Sequence, residues 1–273
     1  MTLSVVIITY NEEANLARTL ESVKPLVASH GRLTDNEIIV VDSGSSDRTV
    51  EIAKNAGAKV IVEAWRGYAA QKNFALEKAH GTWILSIDAD EELSEDLRRE
   101  ISLAIGRQAL LKFELPADRP EFVDGFFLAR RNFFLGRWMK HGGFWPDPKL
   151  RLFRRGKGRF ELRTVHEDLY VEGRTANLEH GALIHHSYPT LSDYIDHTNR
   201  YSSLGAEMTV ARGRTGFNII NIVLRPLATF IYNYFFRLGF LDGREGLLLH
   251  LYHSVYVSWK YAKAWELSRK GQS

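Results

Sequence analysis

The first ninety residues alternate between two patterns, and few architectures accept that alternation. Leu3–Thr9 (LSVVIIT), Glu37–Val41 (EIIVV), Lys59–Glu63 (KVIVE) and Thr82–Ile87 (TWILSI) are short runs rich in β-branched and apolar residues. Runs of that length and composition fit interior strands. Between them lie helical spacings. Leu16, Leu20 and Val23 share one helix face, with Asn11 a fair N-cap ahead of them. Val50, Ala53 and Ala56 share another, stopped by Gly57. Tyr68–Ala79 is a third helix, closed by His80-Gly81. Strand and helix joined by short connections predict a parallel α/β sheet with right-handed crossovers. In such sheets ligands sit outside the carboxyl ends of the strands.

The residues leaving those ends are Thr9-Tyr10-Asn11-Glu12, Asp42-Ser43-Gly44 and Asp88-Ala89-Asp90. The third group opens a run in which Asp88, Asp90, Glu91 and Glu92 crowd four carboxylates into five residues. Like-charge repulsion there calls for a cation or for solvent. In an extended chain Asp88 and Asp90 point to one side, an arrangement that suits a hard divalent cation with oxygen ligands. The plainer alternative is the acidic first turn of the next helix. Asp42 has a plain alternative too, capping the turn with Ser43-Gly44, and Lys72 has one as a solvated helix residue. Neither GxGxxG nor GxxxxGK[ST] is present, which removes the dinucleotide fingerprint and the P-loop.

Composition narrows the classes. The 273-residue chain has no cysteine, so disulfide and thiolate chemistry are out. A net charge of +3 is too small to imply a nucleic-acid partner. Much of the positive charge follows residue 129, so the second half suits an anionic surface or substrate. The N-terminal Met1-Thr2-Leu3-Ser4 lacks the basic region of a signal peptide, and no leader is expected.

Further along, Ser94-Glu95-Asp96 opens a helix with Leu93, Leu97, Ile101 and Ala104 on its apolar side, and Ala109–Glu121 reads as a connection. Gly125–Arg130 and Lys149–Arg154 read as strands around an insertion, Arg131–Pro148, rich in glycine and aromatics. Trp138, His141, Phe144 and Trp145 there suit stacking on a sugar ring, or an ordinary packed loop. Asp193–Val210 reads as a helix. Phe217–Leu241 is apolar and aromatic, but Arg225-Pro226 interrupts it, so a span is not expected. Its mixture of aromatics and arginines suits a segment lying in the headgroup region. Gly239–Gly243 reads as a turn and Leu247–Leu267 as a helix with Trp259, Lys260 and Trp265.

Val5–Glu12 (VVIITYNE), Val40–Asp47 (VVDSGSSD) and Asp88-Ala89-Asp90, in this order and spacing, resemble the family 2 inverting glycosyltransferases of the GT-A fold. The resemblance covers at least residues 3–200. It implies an α/β, Rossmann-like, mostly parallel sheet flanked by helices. It also implies a nucleotide-sugar donor, usually a UDP-sugar, with Mg²⁺ or Mn²⁺. By that resemblance Thr9, Tyr10 and Glu12 hold base and ribose, and Asp42 accepts a hydrogen bond from the base. Asp88 and Asp90 belong to the metal–diphosphate site, Asp90 the first choice as ligand, and Lys72 approaches the diphosphate. An inverting transfer needs a general base. Arg163–Leu169 (RTVHEDL) satisfies two patterns of the family, a Glu-Asp pair and the Val-His-Glu of a branch resembling lipopolysaccharide-core β-glucosyltransferases. The base is Asp168 in the first and Glu167 in the second, Glu167 being the first choice, with His166 orienting the pair or touching the donor. A late histidine, His180, His185 or His186, can complete the metal shell in such enzymes. No Gln-x-x-Arg-Trp motif follows, which points to single additions rather than processive synthesis.

The expected organisation is a catalytic domain over 1–215, with a nucleotide-binding half (1–105) and an acceptor-binding half (106–215). A C-terminal pair of amphipathic, aromatic helices over 216–273 follows. The expected partners are a nucleotide-sugar donor, a glycan or lipid-linked acceptor, and a membrane surface met through 217–265 on the cytoplasmic face of the inner membrane. The oligomeric state is left open. The rival readings are a nucleotidyltransferase acting on a sugar phosphate, and a non-catalytic membrane-associated binding module on the same fold.

Overall fold

A computed structural model describes residues 2–28, 36–114, 121–161, 168–213 and 216–270. Its contacts divide the chain into two compact units, Met1–Arg130 with Pro148–His185, and Arg131–Asp147 with His186–Ser273. The elements of the first half run β1 (Leu3–Thr9), α1 (Leu16–Val27), β2 (Glu37–Asp42), α2 (Thr49–Asn55), β3 (Lys59–Val62), α3 (Tyr68–Glu77), β4 (Trp83–Asp88), β5 (Glu91–Leu93) and α4 (Glu95–Glu114). Then follow β6 (Gly125–Phe134), β7 (Arg137–Trp138), β8 (Asp147–Arg154), β9 (Gly158–Phe160), β10 (Leu169–Val171), β11 (Thr175–Tyr188), α5 (Leu191–Ala211), α6 (Arg225–Ile231) and α7 (Gly243–Lys270).

The main sheet has the order β3-β2-β1-β4-β8-β6-β11-β5. Strands β3, β2, β1 and β4 run parallel, whereas β8 meets β4, and β5 meets β11, antiparallel. The register sets Thr9 beside Asp42 and Ile8 beside Asp88, so three polar strand ends lie side by side. Both sheet faces are covered, which is why these strands read as continuous apolar runs. On one face Val5, Ile7, Trp83 and Leu85 pack with Leu16 and Leu20 of α1 and Leu97 of α4. On the other, Val6, Ile39, Ile84 and Phe153 pack with Ala75 of α3 and the nearby Ala79. Each fully buried side chain of this size contributes roughly 1.5–3 kcal/mol. Gly81 is needed at the foot of β4, because a Cβ there would lie 2.5 Å from the Ser4 amide nitrogen.

In the second unit α5 starts at a capping box, with the Thr190 and Asp193 side chains each bonded to the other's backbone N–H. Helices α5 and α7 pack together, pinned where Lys263 Nζ donates to the Asn199 carbonyl at 2.8 Å and to Ser202 Oγ at 2.7 Å. The core here joins Phe134, Met139, Tyr194 and Leu249. Chain 220–236 is helical throughout, α6 being flanked by turns of wider π pitch at Ile220–Leu224 and Tyr232–Phe236. The expected turn at residue 239 is one short 3₁₀ helix, Gly239–Asp242.

Four local readings differ from the sequence pattern. Helix α4 continues through Glu114, beyond Ala109 where a connection is expected. Glu91-Glu92 is not a helix's first turn but the short strand β5, held by β11. Asn11 does not cap α1. Its φ of 53° takes the chain away from the helix, which begins at Leu16. Finally, the chain does not continue extended past Asp88 but turns at Ala89-Asp90, so alternation no longer fixes where those two side chains point.

Candidate active site

The loops leaving β1 and β2 are laced together. The Asn11 amide donates to Ser45 Oγ (2.8 Å), the Ser46 amide to Asn11 Oδ1 (2.9 Å) and the Glu12 amide to Thr49 Oγ1 (2.8 Å). Asp42 is buried, and its carboxylate accepts from the Gly44 amide at 2.9 Å and the Ser45 amide at 2.8 Å. Ser45 Oγ donates to it as well, so three of about four acceptor positions are taken by its own turn. Tyr10, by contrast, is exposed. Thr9 Oγ1 and Gln71 Oε1 are buried without a hydrogen-bond partner. They flank one turn, since the Ser43 amide donates to the Thr9 carbonyl and Gln71 Nε2 to Ser43 Oγ. Orphaned buried polar atoms are costly. A polar ring seated against this turn would satisfy both. The sequence pattern does not single out Gln71, because its neighbours carry no periodic signal.

The turn after β4 is held by backbone and buried side chains together. Thr19 Oγ1 donates to the Ala89 carbonyl (2.6 Å), the Leu93 amide to Ser22 Oγ (3.1 Å) and the Asp88 amide to Glu91 Oε2 (3.0 Å). Asp88 Oδ1 meets Lys72 Nζ at 2.8 Å and Oδ2 meets Arg151 Nη2 at 2.6 Å. Arg151 also reaches the fully buried Glu91 at 3.0 Å, and Arg130 reaches it at 3.3 Å. Burial alone would raise the Asp88 carboxyl, but Arg151 and Lys72 outweigh it and hold the group well below the usual carboxylate range. Burial likewise would lower Arg151, and Asp88 and Glu91 more than reverse it. Lys72 is therefore a buried, paired cation rather than a solvated helix residue.

Asp90 faces another partner. Its Oδ2 lies 3.1 Å from His185 Nε2, a pairing produced by the register that sets His185 beside Glu91. His180 is exposed and His186 stacks on Phe133 at 5.5 Å, so His185 alone of the three candidates meets Asp90. The Glu12 carboxyl is held above its ordinary value. Burial raises it, the Asn15 amide opposes, and the carboxylates of Asp90, Asp47 and Asp88 push it up again. A cation arriving beside Asp90 would relieve that field. Among the described residues no three His, Asp or Glu side chains converge as a finished cation site. One carboxylate oxygen and one imidazole nitrogen are an incomplete set that phosphate oxygens could complete. Its chemistry suits Mn²⁺ better than Mg²⁺, which prefers oxygen alone.

Helix α3 also holds the end of β9, the strand that precedes the candidate base. Asn73 Nδ2 donates to the Phe160 carbonyl (2.9 Å) and the Phe160 amide donates back to Asn73 Oδ1 (2.8 Å). The Phe160 ring sits 5.2 Å from Lys72 Nζ. From Phe160 the chain leaves β9 and returns at Leu169 in β10, the two strands pairing antiparallel. Asp168 stands exposed at that return, its carbonyl accepting from the Glu161 amide at 3.0 Å. His166 and Glu167 lie outside the described residues.

Comparison with known proteins fits this geometry. Residues 4–107 match the model of "Glycosyl transferase family 2". The chain is 33% identical over 270 residues to the lipopolysaccharide core biosynthesis glycosyltransferase LpsC of Rhizobium meliloti, covering 97% of this chain and 92% of that one. It is 32% identical over 280 residues to an uncharacterized glycosyltransferase of Rickettsia typhi, covering 99% and 89%. Among solved structures, a mannosyltransferase from Pyrobaculum calidifontis in complex with GDP-Man and Mn²⁺ superposes with a TM-score of 0.54 at 16% identity, covering 96% of this chain and 86% of that one. The fold is thus GT-A-like. Matched along nearly its whole length by a named glycosyltransferase, and by the family's model across β1, β2 and β4, this chain belongs to glycosyl transferase family 2.

Proposed function

We propose that the enzyme transfers one sugar, with inversion, from a nucleotide-sugar to a lipid-linked or lipopolysaccharide-core glycan. A UDP-hexose is the proposed donor, UDP-glucose first. The observation that carries this is the juxtaposition at the strand ends: the orphaned Thr9 and Gln71 atoms, the Asp88–Lys72 pair, and Asp90 against His185. The relative from Rhizobium meliloti, named for lipopolysaccharide core biosynthesis, supports the acceptor class.

In this reading the base and ribose lie over Thr9, Tyr10, Glu12 and Asp42. Asp88 holds the Lys72 side chain in place, where an ammonium offsets diphosphate charge. Asp90 and His185 would hold the metal, Mn²⁺ or Mg²⁺, whose chemistry there is to neutralise the departing diphosphate. Glu167 or Asp168 removes the proton from the acceptor hydroxyl. The hydroxyl oxygen then bonds to the anomeric carbon as the bond to the diphosphate oxygen breaks, and the electron pair leaves with the nucleotide.

The proposal includes attachment to the cytoplasmic face of the inner membrane. No helix among the described residues is long and apolar enough to cross a membrane. Ile220, Val223, Leu224, Leu227 and Ile231 nonetheless leave a helical stripe in solvent, and Phe236 beyond them is 74% exposed. Such a stripe beside arginines suits a helix lying in the headgroup region.

A thermal-shift panel of UDP, GDP, CDP and dTDP, each with and without Mn²⁺, tests the donor site. A ligand at a hundred times its dissociation constant stabilises by roughly 2.7 kcal/mol. The expected result is a shift with UDP that needs the metal and disappears in Asp90→Ala. A larger shift with another nucleotide overturns the choice of donor, and no shift with any overturns the site.

A further inference from the structure

The stretch 131–147, from the end of β6 through β7 to the start of β8, carries charge that the proposed donor chemistry leaves without a task. The Arg131 guanidinium carbon lies 4.6 Å from the centre of the Trp138 ring and 5.7 Å from that of Trp145. The two indoles meet edge to face at 5.3 Å. Lys140 Nζ lies 4.6 Å from the centre of Trp138. Arg131 Nε and Trp138 Nε1 are buried and have no hydrogen-bond partner. Neither Arg131 nor Lys140 pairs with a carboxylate among the described residues. Asp147, the acid of the same stretch, accepts from Asn132 Nδ2 at 3.1 Å.

An arginine held by ring faces is pre-organised, and its planar fork is not spent on a carboxylate. The groups offered here are cations that only donate, the part-buried Arg131 guanidinium and the exposed Lys140 ammonium. An anion answers both the charge and the donors of such a set. The Trp138 and Trp145 indoles add apolar surface of the kind a sugar ring packs on. The stretch is held in place by the second unit's own elements. The Gly142 amide donates to the Arg237 carbonyl at 2.8 Å, and His141 grips the buried Asp242 through its amide and its ring, each at 2.8 Å. A Cβ on Gly142 would sit 2.0 Å from the His250 ring, so this approach requires glycine.

We propose that Arg131, Trp138 and Lys140 form an acceptor subsite for an anionic sugar, one bearing a carboxylate or a phosphate. The proposal rests on the glycosyltransferase reading and names the acceptor's class. A phosphatidylglycerol headgroup shares the charge but has no ring to lay on an indole.

The test is ligand-observed NMR titration of the full chain with glucuronic acid, glucose 6-phosphate and glucose. Sedimentation with phosphatidylglycerol vesicles runs in parallel. Both anionic sugars are expected to bind about tenfold more tightly than glucose, the ratio that roughly 1.4 kcal/mol gives. Arg131→Gln and Lys140→Gln should each remove most of that preference, and the exposed Lys140 keeps the test open if Arg131→Gln misfolds. Equal affinities for charged and neutral sugars overturn the proposal. So does a pair of variants that lose vesicle binding but keep the sugar preference. A UDP thermal shift on the same sample separates the two readings. Without it the donor site and the word acceptor fall, while the titration still decides whether the anion site exists.

Discussion

Two arginines show how differently the two units use the same side chain. Arg151, on β8, is buried and tied to Asp88 and Glu91, which are themselves held by Lys72 and Arg130. Arg131, on β6, lies on tryptophan faces and pairs with no acid among the described residues. In the first network every cation has a carboxylate partner inside the protein, so it fixes the turn that carries Asp90. The second group is unbalanced and gains most from something outside. Buried charge that is already paired reads as framework, whereas charge held rigid and left unpaired reads as a site.

The comparison breaks if the two arginines respond alike. Arg151→Met leaves Glu91 without its nearer cation in a site with no access to water, and removing one partner of a buried pair costs roughly 3–5 kcal/mol. Arg131→Met removes a cation that satisfies no carboxylate, so the expected cost is within about 1 kcal/mol. Urea unfolding of both variants measures the difference. Equal losses would mean that Arg131 is framework too.

Within the first unit, Asp90 and Asp88 should separate. Asp90→Asn keeps the size and removes the charge beside His185, and transfer should fall about a hundred- to a thousandfold, or roughly 3–4 kcal/mol, as for a lost electrostatic contact at a reacting group. Stability should change little, because no buried cation loses its partner. Asp88→Asn should lower both rate and stability, since Lys72 and Arg151 are both left short. Steady-state kinetics beside a melting curve distinguishes the two. Loss of stability in Asp90→Asn would make that carboxylate framework as well.

The second unit has its own buried titratable group. His250 is almost fully buried, both ring nitrogens are unpartnered, and its pKa is pushed down to about 4. Burial is the main cause. His253 and Arg237 add to it and Asp242 opposes. An unfolded histidine titrates near 6.5, so between pH 6.5 and 4 the unfolded chain binds the extra proton. Stability is therefore fully present above about pH 6.5 and is lost as pH falls, by roughly 3 kcal/mol at pH 4. In His250→Leu the melting temperature should depend less on pH between 7 and 5. An unchanged slope would place the acid sensitivity elsewhere.

Much of the first unit could be read from the sequence because its signals are local. Residues 3–7 are apolar or β-branched apart from Ser4, since both faces of β1 are covered, and Gly57 ends α2 by its own backbone freedom. The polar strand ends followed from the parallel topology alone. What was not legible depended on distant register. His185 meets Asp90 because β11 pairs with β5, and β5 hides in a run of acids that looks like a helix start. Arg151 sits in a strand whose alternation says which face it takes but not that two carboxylates wait there. Asn199 and Ser202 lie in a helix the sequence marks, but their contact is with Lys263, some sixty residues later. Asp242 gave no sign that it would hold His141.

The smallest expected stability effect carries the comparison to the surface. Phe236 is 74% exposed at the end of the apolar stripe, so Phe236→Ser should leave the unfolding free energy within about 0.5 kcal/mol. If the stripe lies in a lipid surface, the same change removes a phenyl ring from an apolar medium and costs roughly 1.5–3 kcal/mol of membrane affinity, about ten- to a hundredfold. Vesicle sedimentation reads that loss on a protein whose melting curve has not moved. A framework residue moves the melting curve, and a residue waiting for a partner moves only binding. Phe236→Ser with unchanged vesicle binding would turn the stripe from a lipid contact into a face kept for protein.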